Sequence, residues 1–506
     1  MTIKDIKTQI RKQLKKEFPK WKRLSMKEKK AISKKVLEEV ISSYDFDKEI
    51  ETSLDELLGI EGQHPAAGIM NIEEMKNFIK NHNNSKMFNI EKFQHPAIKD
   101  KELKIIDQIL DNDIINRLLS YDSYSPAMRQ FYPSTFFRAE LLKAIKFPEI
   151  SYRKFCGDDN SYSGHKINNK YTGTSQKENR AFIGLPLNKN LMLTHAQLSQ
   201  FRSSLTFNQL VNLMVYILAH FQDKGFLGGD NIHCVDSTEL AIDCQKLLAK
   251  LDINGQKIRI YDDIDSDCGK RRNKRDKSVY VVGYRLHTLT AINSKTGQSY
   301  PLISLVAPAN HHDSHFLAPL ISLGQSIGLD IKLVTVDEAY NDKSGAIYEK
   351  TGVNIIRPAN GKVKNPKNVD IETMTVNFDG LCDIPMEYVG VENNIHEFKC
   401  NVGVDECPRA GTCPRYRNIS VDTGHFQRIL HNRNEVTKAL NIRKNGERPF
   451  NLLKKREGLD QIRVRSQHGV IAKGMFTTIA TLLIEMAGTR KKIKKKQMQL
   501  KLPMAA

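Results

Sequence analysis

The 506-residue sequence predicts an α/β protein: a largely helical N-terminal region, then a mixed sheet flanked by helices, with a cysteine-rich insertion. Three observations carry that expectation. Apolar residues recur at three- and four-residue steps through much of the first 229 positions, which is helical spacing. After Gly225, Gly228 and Gly229 the texture changes to short apolar runs separated by turn residues, as strands require. Two of those runs end in an aspartate.

Composition sets the class. Lys plus Arg is 78 against 58 for Asp plus Glu, a formal charge of +20 with a pI near 9.4. Hydrophobic residues at 40% exclude wholesale disorder. The longest apolar stretch, around Leu210 to Phe221, is interrupted by Asn212 and His220 and is short for a bilayer. No apolar run follows the basic N-terminus, so neither a secretory signal nor a membrane is expected. Eight cysteines are too sparse for a disulfide scaffold and point to a reducing compartment, here the cytoplasm.

The charge is clustered. Residues 1–35 hold 14 Lys or Arg against three acids. A second cluster comprises Lys270, Arg271, Arg272, Lys274, Arg275 and Lys277, and a third runs from Arg490 to Lys501 with no acid. Any one of them reads equally well as a solvated face. Three on one chain favour a surface for phosphates, and so a nucleic-acid partner.

In chain order, residues 1–125 form a basic helical region, with Ile3, Ile6, Ile10 and Leu14 on one face and Ile105, Ile106, Ile109 and Leu110 on another. Residues 126–229 form a second helical region, expected to bind DNA. Thr194 is placed to cap a helix through Leu198 and Phe201, and an apolar helix runs from Phe207 to Phe221. The span 230–487 is expected to form one α/β domain. It opens with a short strand, 231–235, ending at Asp236. Strands at 280–292 and 299–307 are joined by the turn 293–297, a helix covers 311–323, and a strand at 331–336 ends at Asp337. Three antiparallel strands, a helix and another strand is the chain order of a ribonuclease H-like core. Residues 488–506 are a basic tail.

An acid that follows a buried strand sits where open sheets place active groups. Alone, each Asp is as well explained by a turn. Together, Asp236 and Asp337 could share a divalent cation, which would offset their mutual repulsion; Mg²⁺ suits such an oxygen site open to phosphate. A third acid comes from the stretch 441–454. Asn445-Gly446 signals a turn, Pro449 fits a first helical turn, and Glu447 therefore lies at a helix start. Lys454 follows two turns later on the same face, and Phe450 and Leu453 would pin the helix to the sheet. Glu457 is the competing acid.

This set of residues resembles the DDE transposases of bacterial insertion sequences, in the superfamily with a Tyr-Arg-Glu-Lys signature. Arg443, Glu447 and Lys454 match its spacing, and the Tyr position holds Leu440. The stretches 235–238, Gly283-Tyr-Arg285-Leu-His287, Ala309-Asn-His-His-Asp313-Ser and Val336-Asp337-Glu-Ala-Tyr340 also fit, so the similarity covers about residues 190–485. The resemblance implies a ribonuclease H-like domain in which Asp236, Asp337 and Glu447 hold two Mg²⁺ ions, with Mn²⁺ as a substitute. It implies hydrolysis at an element's end, then attack of the freed 3′-hydroxyl on target DNA. The partners would be double-stranded DNA, as terminal inverted repeats and target, and a second copy of the chain in a synaptic complex at the bacterial nucleoid. Arg443 and Lys454 would neutralise phosphates near the cut, with Lys270, Arg271, Arg272, Lys274 and Arg275 extending the DNA surface. The alternatives are a related nuclease without strand transfer and a non-catalytic DNA-binding descendant.

Asp337 and Glu447 are 110 positions apart, room for an insertion at about 376–418. Cys382, Cys400, Cys407 and Cys413 fall in it and could staple, through structural Zn²⁺, an insert expected to lack a core of its own. His396 could replace one thiol; unpaired structural cysteines are the alternative. Asp263, Asp265 and Asp267 lack calcium-loop spacing and read as a charged flexible loop. His311, His312 and His315, with Asp313, read as a helix opening rather than as ligands.

Overall fold

The main sheet starts at β1 (Asn231–Ala241) and is completed by β4 (Asp267–Arg272), β5 (Ser278–Asn293), β6 (Ser299–Pro308), β7 (Leu333–Val336) and β8 (Asn354–Ile356). The structure is a computed structural model that describes residues 68–85, 97–119, 130–157, 174, 176–187, 192–229, 231–244, 246–253, 256–272, 278–338, 340, 346–358, 369–370, 375–377, 384–420, 434–455 and 458–488. The basic clusters at 1–35 and 490–501 lie outside the described residues.

Strand order is β6-β5-β1-β7-β8, with β4 pairing the first part of β5. β1, β5 and β6 are antiparallel neighbours, whereas β7 and β8 run parallel to β1. Parallel neighbours need crossovers, and helices supply them: α9 (Leu317–Ser326) leads into β7, and α10 (Ala346–Thr351) into β8. This mixed sheet with flanking helices is compatible with a ribonuclease H-like core. A two-stranded ribbon, β2 (Lys246–Ile253) and β3 (Gln256–Tyr261), precedes β4.

Eight described helices precede the sheet: α1 (Ile72–Ser85), α2 (Lys101–Ile109), α3 (Asn112–Leu118), α4 (Pro133–Lys146), α5 (Tyr152–Cys156), α6 (Lys177–Ile183), α7 (His195–Ser204) and α8 (Phe207–Asp223). Local chemistry starts several of them. Thr194 and Thr206 each accept from the backbone three residues on, and Gln197 and Gln209 reciprocate, so α7 and α8 both open with capping boxes.

After the sheet come α11 (Asn434–Arg443), α12 (Arg448–Lys455) and α13 (Gln467–Met486). α13 joins the layers: it lies on β6 and packs against α4 and α8. Its Phe476 stacks on Phe201 of α7 at 6.0 Å and meets Phe137 of α4 edge-on at 5.7 Å. α13 is long and apolar enough to cross a membrane, but 94% of that stretch is buried inside the protein, so it is a core helix. One apolar cluster runs from Ile72 through α8 and the sheet to Met486.

A twenty-residue buried helix needs acceptors for the amides of its first turn. The acidic stretch before β4 provides them. Asp263 Oδ2 accepts from Ser466 N at 3.0 Å and Asp265 Oδ2 from Gln467 N at 3.1 Å. The stretch is therefore an ordered cap with Asp263 buried, not the flexible loop that its composition suggests.

The seam between α4, α5, α7 and α13 buries charge. Arg202 pairs with the fully buried Glu140, which also accepts from Tyr152 Oη at 2.7 Å. Arg202, Lys143 and Lys473 stand 4.3, 5.3 and 5.8 Å from the centre of the Tyr152 ring.

The insertion corrects a second expectation. It forms an antiparallel sheet, β9 (Val369–Asp370), β10 (Thr375–Asn377), β11 (Pro385–Glu392), β12 (Ile395–Lys399) and β13 (Tyr416–Ser420). Val376, Met386, Phe398, Cys400 and Ile419 line one face as a core of its own. Alternation along the strands is enough to create that face without a metal.

Candidate active site

Asp236 lies in the middle of β1, not at its end. β1 continues to Ala241 because it pairs with β5 throughout, from Asn231↔Asn293 to Ala241↔Gly283. Its parallel ladder with β7 is shorter and stops at Val235↔Val336. Asp236 and Asp337 are thus the first residues of two neighbouring strands beyond the point where their pairing ends. That is the place on an open sheet where side chains become available for chemistry. Each aspartate accepts the amide of the residue after it, Ser237 N and Glu338 N, at 2.8 Å.

Glu447 closes a 3₁₀ turn, Lys444–Glu447, between α11 and α12. Gly446 presses this turn onto the sheet: a Cβ there would lie 2.8 Å from Cys234 Sγ on β1 and 3.6 Å from Ile292 on β5. Arg448 Nη1 donates to Gly297 O at 3.2 Å, tying the start of α12 to the β5–β6 turn. Phe450 and Leu453 are buried in the main core and anchor α12. Leu440, at the signature's Tyr position, packs beside Ile356, Val436 and Ala439.

Arg443, the last residue of α11, reaches between the two aspartates. Its Nη2 is 3.4 Å from Asp337 Oδ1 and 3.9 Å from Asp236 Oδ2. Burial pushes the Asp236 carboxyl up to about 6, the Ser237 amide and Arg443 hold it down, and the negative charges of Asp337 and Glu447 raise it further. The neighbouring Cys234 thiol is pushed up to about 12, first by burial and then by Asp236, and Glu447 adds to it. Asp337 and Glu447 thus both act on the Asp236 carboxyl.

The three acids are not packed to a single ion's radius. Among the described residues, the group whose ligand atoms all lie within 4.8 Å of one another is His82, Asp111 and Asp113. That group could hold a metal ion, and the sequence does not signal it because His82 lies in the last turn of α1 while Asp111 caps α3, 29 positions on. Asp111 already accepts from the amides of Asp113 and Ile114, at 3.0 and 3.3 Å.

The other sequence-predicted residues are spread more widely. Lys454 is half-buried on α12. Lys270 is exposed on β4, and the backbones of Arg271 and Arg272 continue that strand. Lys274, Arg275, Glu457 and Cys382 lie outside the described residues. Cys400 is buried in the insertion's core, while Cys407 and Cys413 sit in the bends before β13. The structure does not bring these three thiols into a ligand-sized group. His312 caps the 3₁₀ turn Asp313–Phe316 through its side chain, in keeping with a helix opening.

No family model matches the chain, and no curated protein matches it. Among solved structures it is similar to a piggyBac transposase, determined by cryo-EM as a synaptic complex with hairpin DNA. The match has 12% identity and a TM-score of 0.31 and covers 78% of this chain and 74% of that one.

Proposed function

We propose that the chain is a DNA transposase of the DDE type, acting by metal-assisted phosphoryl transfer at the ends of a mobile element. One observation carries the proposal: Asp236 and Asp337 follow the last pair of the β1–β7 ladder with Arg443 between them, and Asp337 and Glu447, from distant parts of the sequence, both act on the Asp236 carboxyl.

The donor set fits Mg²⁺. All three groups are carboxylates, the ligand chemistry that a hard cation takes, and a lone guanidinium leaves an excess of negative charge among them. Asp236, Asp337 and Glu447 would hold the ions. Bound there, Mg²⁺ would activate the attacking water or 3′-hydroxyl and stabilise the leaving oxygen. The chain's own groups do the rest. Arg443 keeps the aspartates from repelling each other before the site is loaded. Lys454 and the basic stretch from Lys270 onward neutralise phosphates, which positions DNA without reading its sequence.

The test uses a duplex carrying the inverted repeats that flank the coding sequence, with a plasmid as target. Mg²⁺-dependent end cleavage and a joined product are expected from wild type. Asp236→Asn, Asp337→Asn and Glu447→Gln are each expected to abolish cleavage while leaving DNA binding near wild type. Cleavage without a joined product would instead assign a nuclease, and wild-type cleavage by any variant would remove that residue from the site.

A further inference from the structure

Apart from Asp337, the residues of three stretches singled out in the sequence, 283–287, 309–314 and 336–340, have no part in the chemistry above, yet members of each meet in one buried polar network next to it. Arg285 Nη1 donates to Asp313 Oδ1 at 2.6 Å, and its Nη2 stands 3.7 Å from Glu239 Oε1. His287 Nδ1 lies 3.8 Å from the same Asp313 oxygen, and its ring stacks on Phe316 at 4.1 Å. Tyr340 sits at the centre. It is 1% exposed, with its hydroxyl 3.4 Å from His287 Nδ1 and the Ser237 side chain near it. Its backbone amide donates to Asp337 O at 3.0 Å.

These bonds have a geometric consequence. Ser237 and His287 are partners across the β1–β5 ladder, one step beyond Asp236↔Thr288. Tyr340 closes the turn that carries Asp337. One phenol therefore ties the strand pair beneath the first acid to the turn holding the second. A buried hydroxyl is costly unless hydrogen-bonded, so its partners define its place and, with it, the separation of the two carboxylates.

We propose that Tyr340 is a positioning residue for the metal site, setting the spacing of Asp236 and Asp337 through Ser237 and His287. This rests on those acids being the metal ligands, as proposed above. Groups that orient ligands without touching the ion typically change metal affinity by about 10- to 100-fold when removed. Tyr340→Phe deletes only the hydroxyl and leaves the ring in the core. Ser237→Ala removes the partner from the other side.

The experiment is thermal melting of full-length wild type, Tyr340→Phe, Ser237→Ala and Asp236→Asn across a Mg²⁺ titration, with end cleavage measured in parallel. Wild type should be stabilised by Mg²⁺. Tyr340→Phe and Ser237→Ala should need about tenfold more Mg²⁺ for half the effect, and should regain cleavage at high Mg²⁺ or with Mn²⁺. Asp236→Asn should regain neither. Tyr340→Phe with an unshifted Mg²⁺ midpoint, whatever its melting temperature, would show the phenol to be packing alone and overturn this inference while leaving the metal site standing. Wild type unresponsive to Mg²⁺ would instead remove the site itself, and the inference with it.

Discussion

Asp236 carries a cost that the rest of its strand does not. Its carboxyl is raised to about 6 from an ordinary value of 3.8 because burial and two neighbouring acids oppose ionisation. With the folded value above the unfolded one, protonation favours the folded state, and stability falls as pH rises from about 4 to 6. At neutral pH the ionised form then costs on the order of 3 kcal/mol without a cation. Asp236→Asn should therefore melt higher than wild type at pH 7 in chelator, and the gap should close below pH 4; an equal or lower melting temperature at pH 7 would remove that cost. That Asp236 and Asp337 each follow a buried apolar run was legible in the sequence because such runs are local patterns, as is the Arg443–Glu447–Lys454 spacing. The position of Asp236 inside a longer strand was not. Residues 236–241 are too polar to read as buried, and they stay extended because β5 supplies a partner across all eleven positions of β1. Arg443 was expected to face phosphate; only the folded chain shows it between carboxylates.

At the scale of elements, helix starts separate what a sequence shows from what it hides. Thr194 and Thr206 cap their helices through residues three positions away, so both starts are written locally. α13 has a local cap too, Ser466 Oγ accepting from Gly469 N at 3.2 Å, but the amides of Ser466 and Gln467 are taken up by Asp263 and Asp265, about two hundred residues upstream, and no window along the chain could connect them. The same helix brings Lys473 to Lys143 of α4. Burial, reinforced by the positive charge of Lys473, pushes the Lys143 ammonium down to about 7 from 10.5, while Glu140 opposes that shift and Arg463 and Arg202 add to it. With the folded value below the unfolded one, the unfolded chain binds more protons between those limits, so stability should rise with pH from about 7 toward 10. Replacing Lys143 by Met should flatten the rise, read as melting temperature between pH 7.5 and 9. An unchanged slope would place the titrating group elsewhere. Lys143 also donates to the carbonyls of Phe147 and Pro148, at 2.6 and 3.1 Å, so the variant should lose stability at high pH, whereas near pH 7 relief of the buried charge offsets that loss.

For the whole molecule, the main core is continuous from the helices through α13 to the sheet, while the insertion has a small core of its own. The chain leaves the main body after β8 and returns at α11, and these two points touch: Ile356 packs beside Val436 and Ala439. An insertion with adjacent ends and separate packing can be removed at little cost in loop closure. Replacing residues 359–433 by a short Gly-Ser linker should leave a folded protein whose main thermal transition moves by only a few degrees. Loss of the folded state would show that the insertion holds the body together. The insertion's strands are short and only half-buried, so their signal along the sequence is weak, yet period-two alternation at Met386 and Tyr388, on one face of β11, suffices to build a sheet.

The most direct measurement of the central claim is Mn²⁺ binding to the full-length protein by electron paramagnetic resonance, which needs no knowledge of the DNA sequence. Saturable binding is expected in wild type and should be lost or weakened at least tenfold in Asp236→Asn, Asp337→Asn and Glu447→Gln alike. A His82→Ala control separates the group at His82, Asp111 and Asp113 and should keep the wild-type affinity of this site. Wild-type affinity in any of the three acid variants would contradict a shared site.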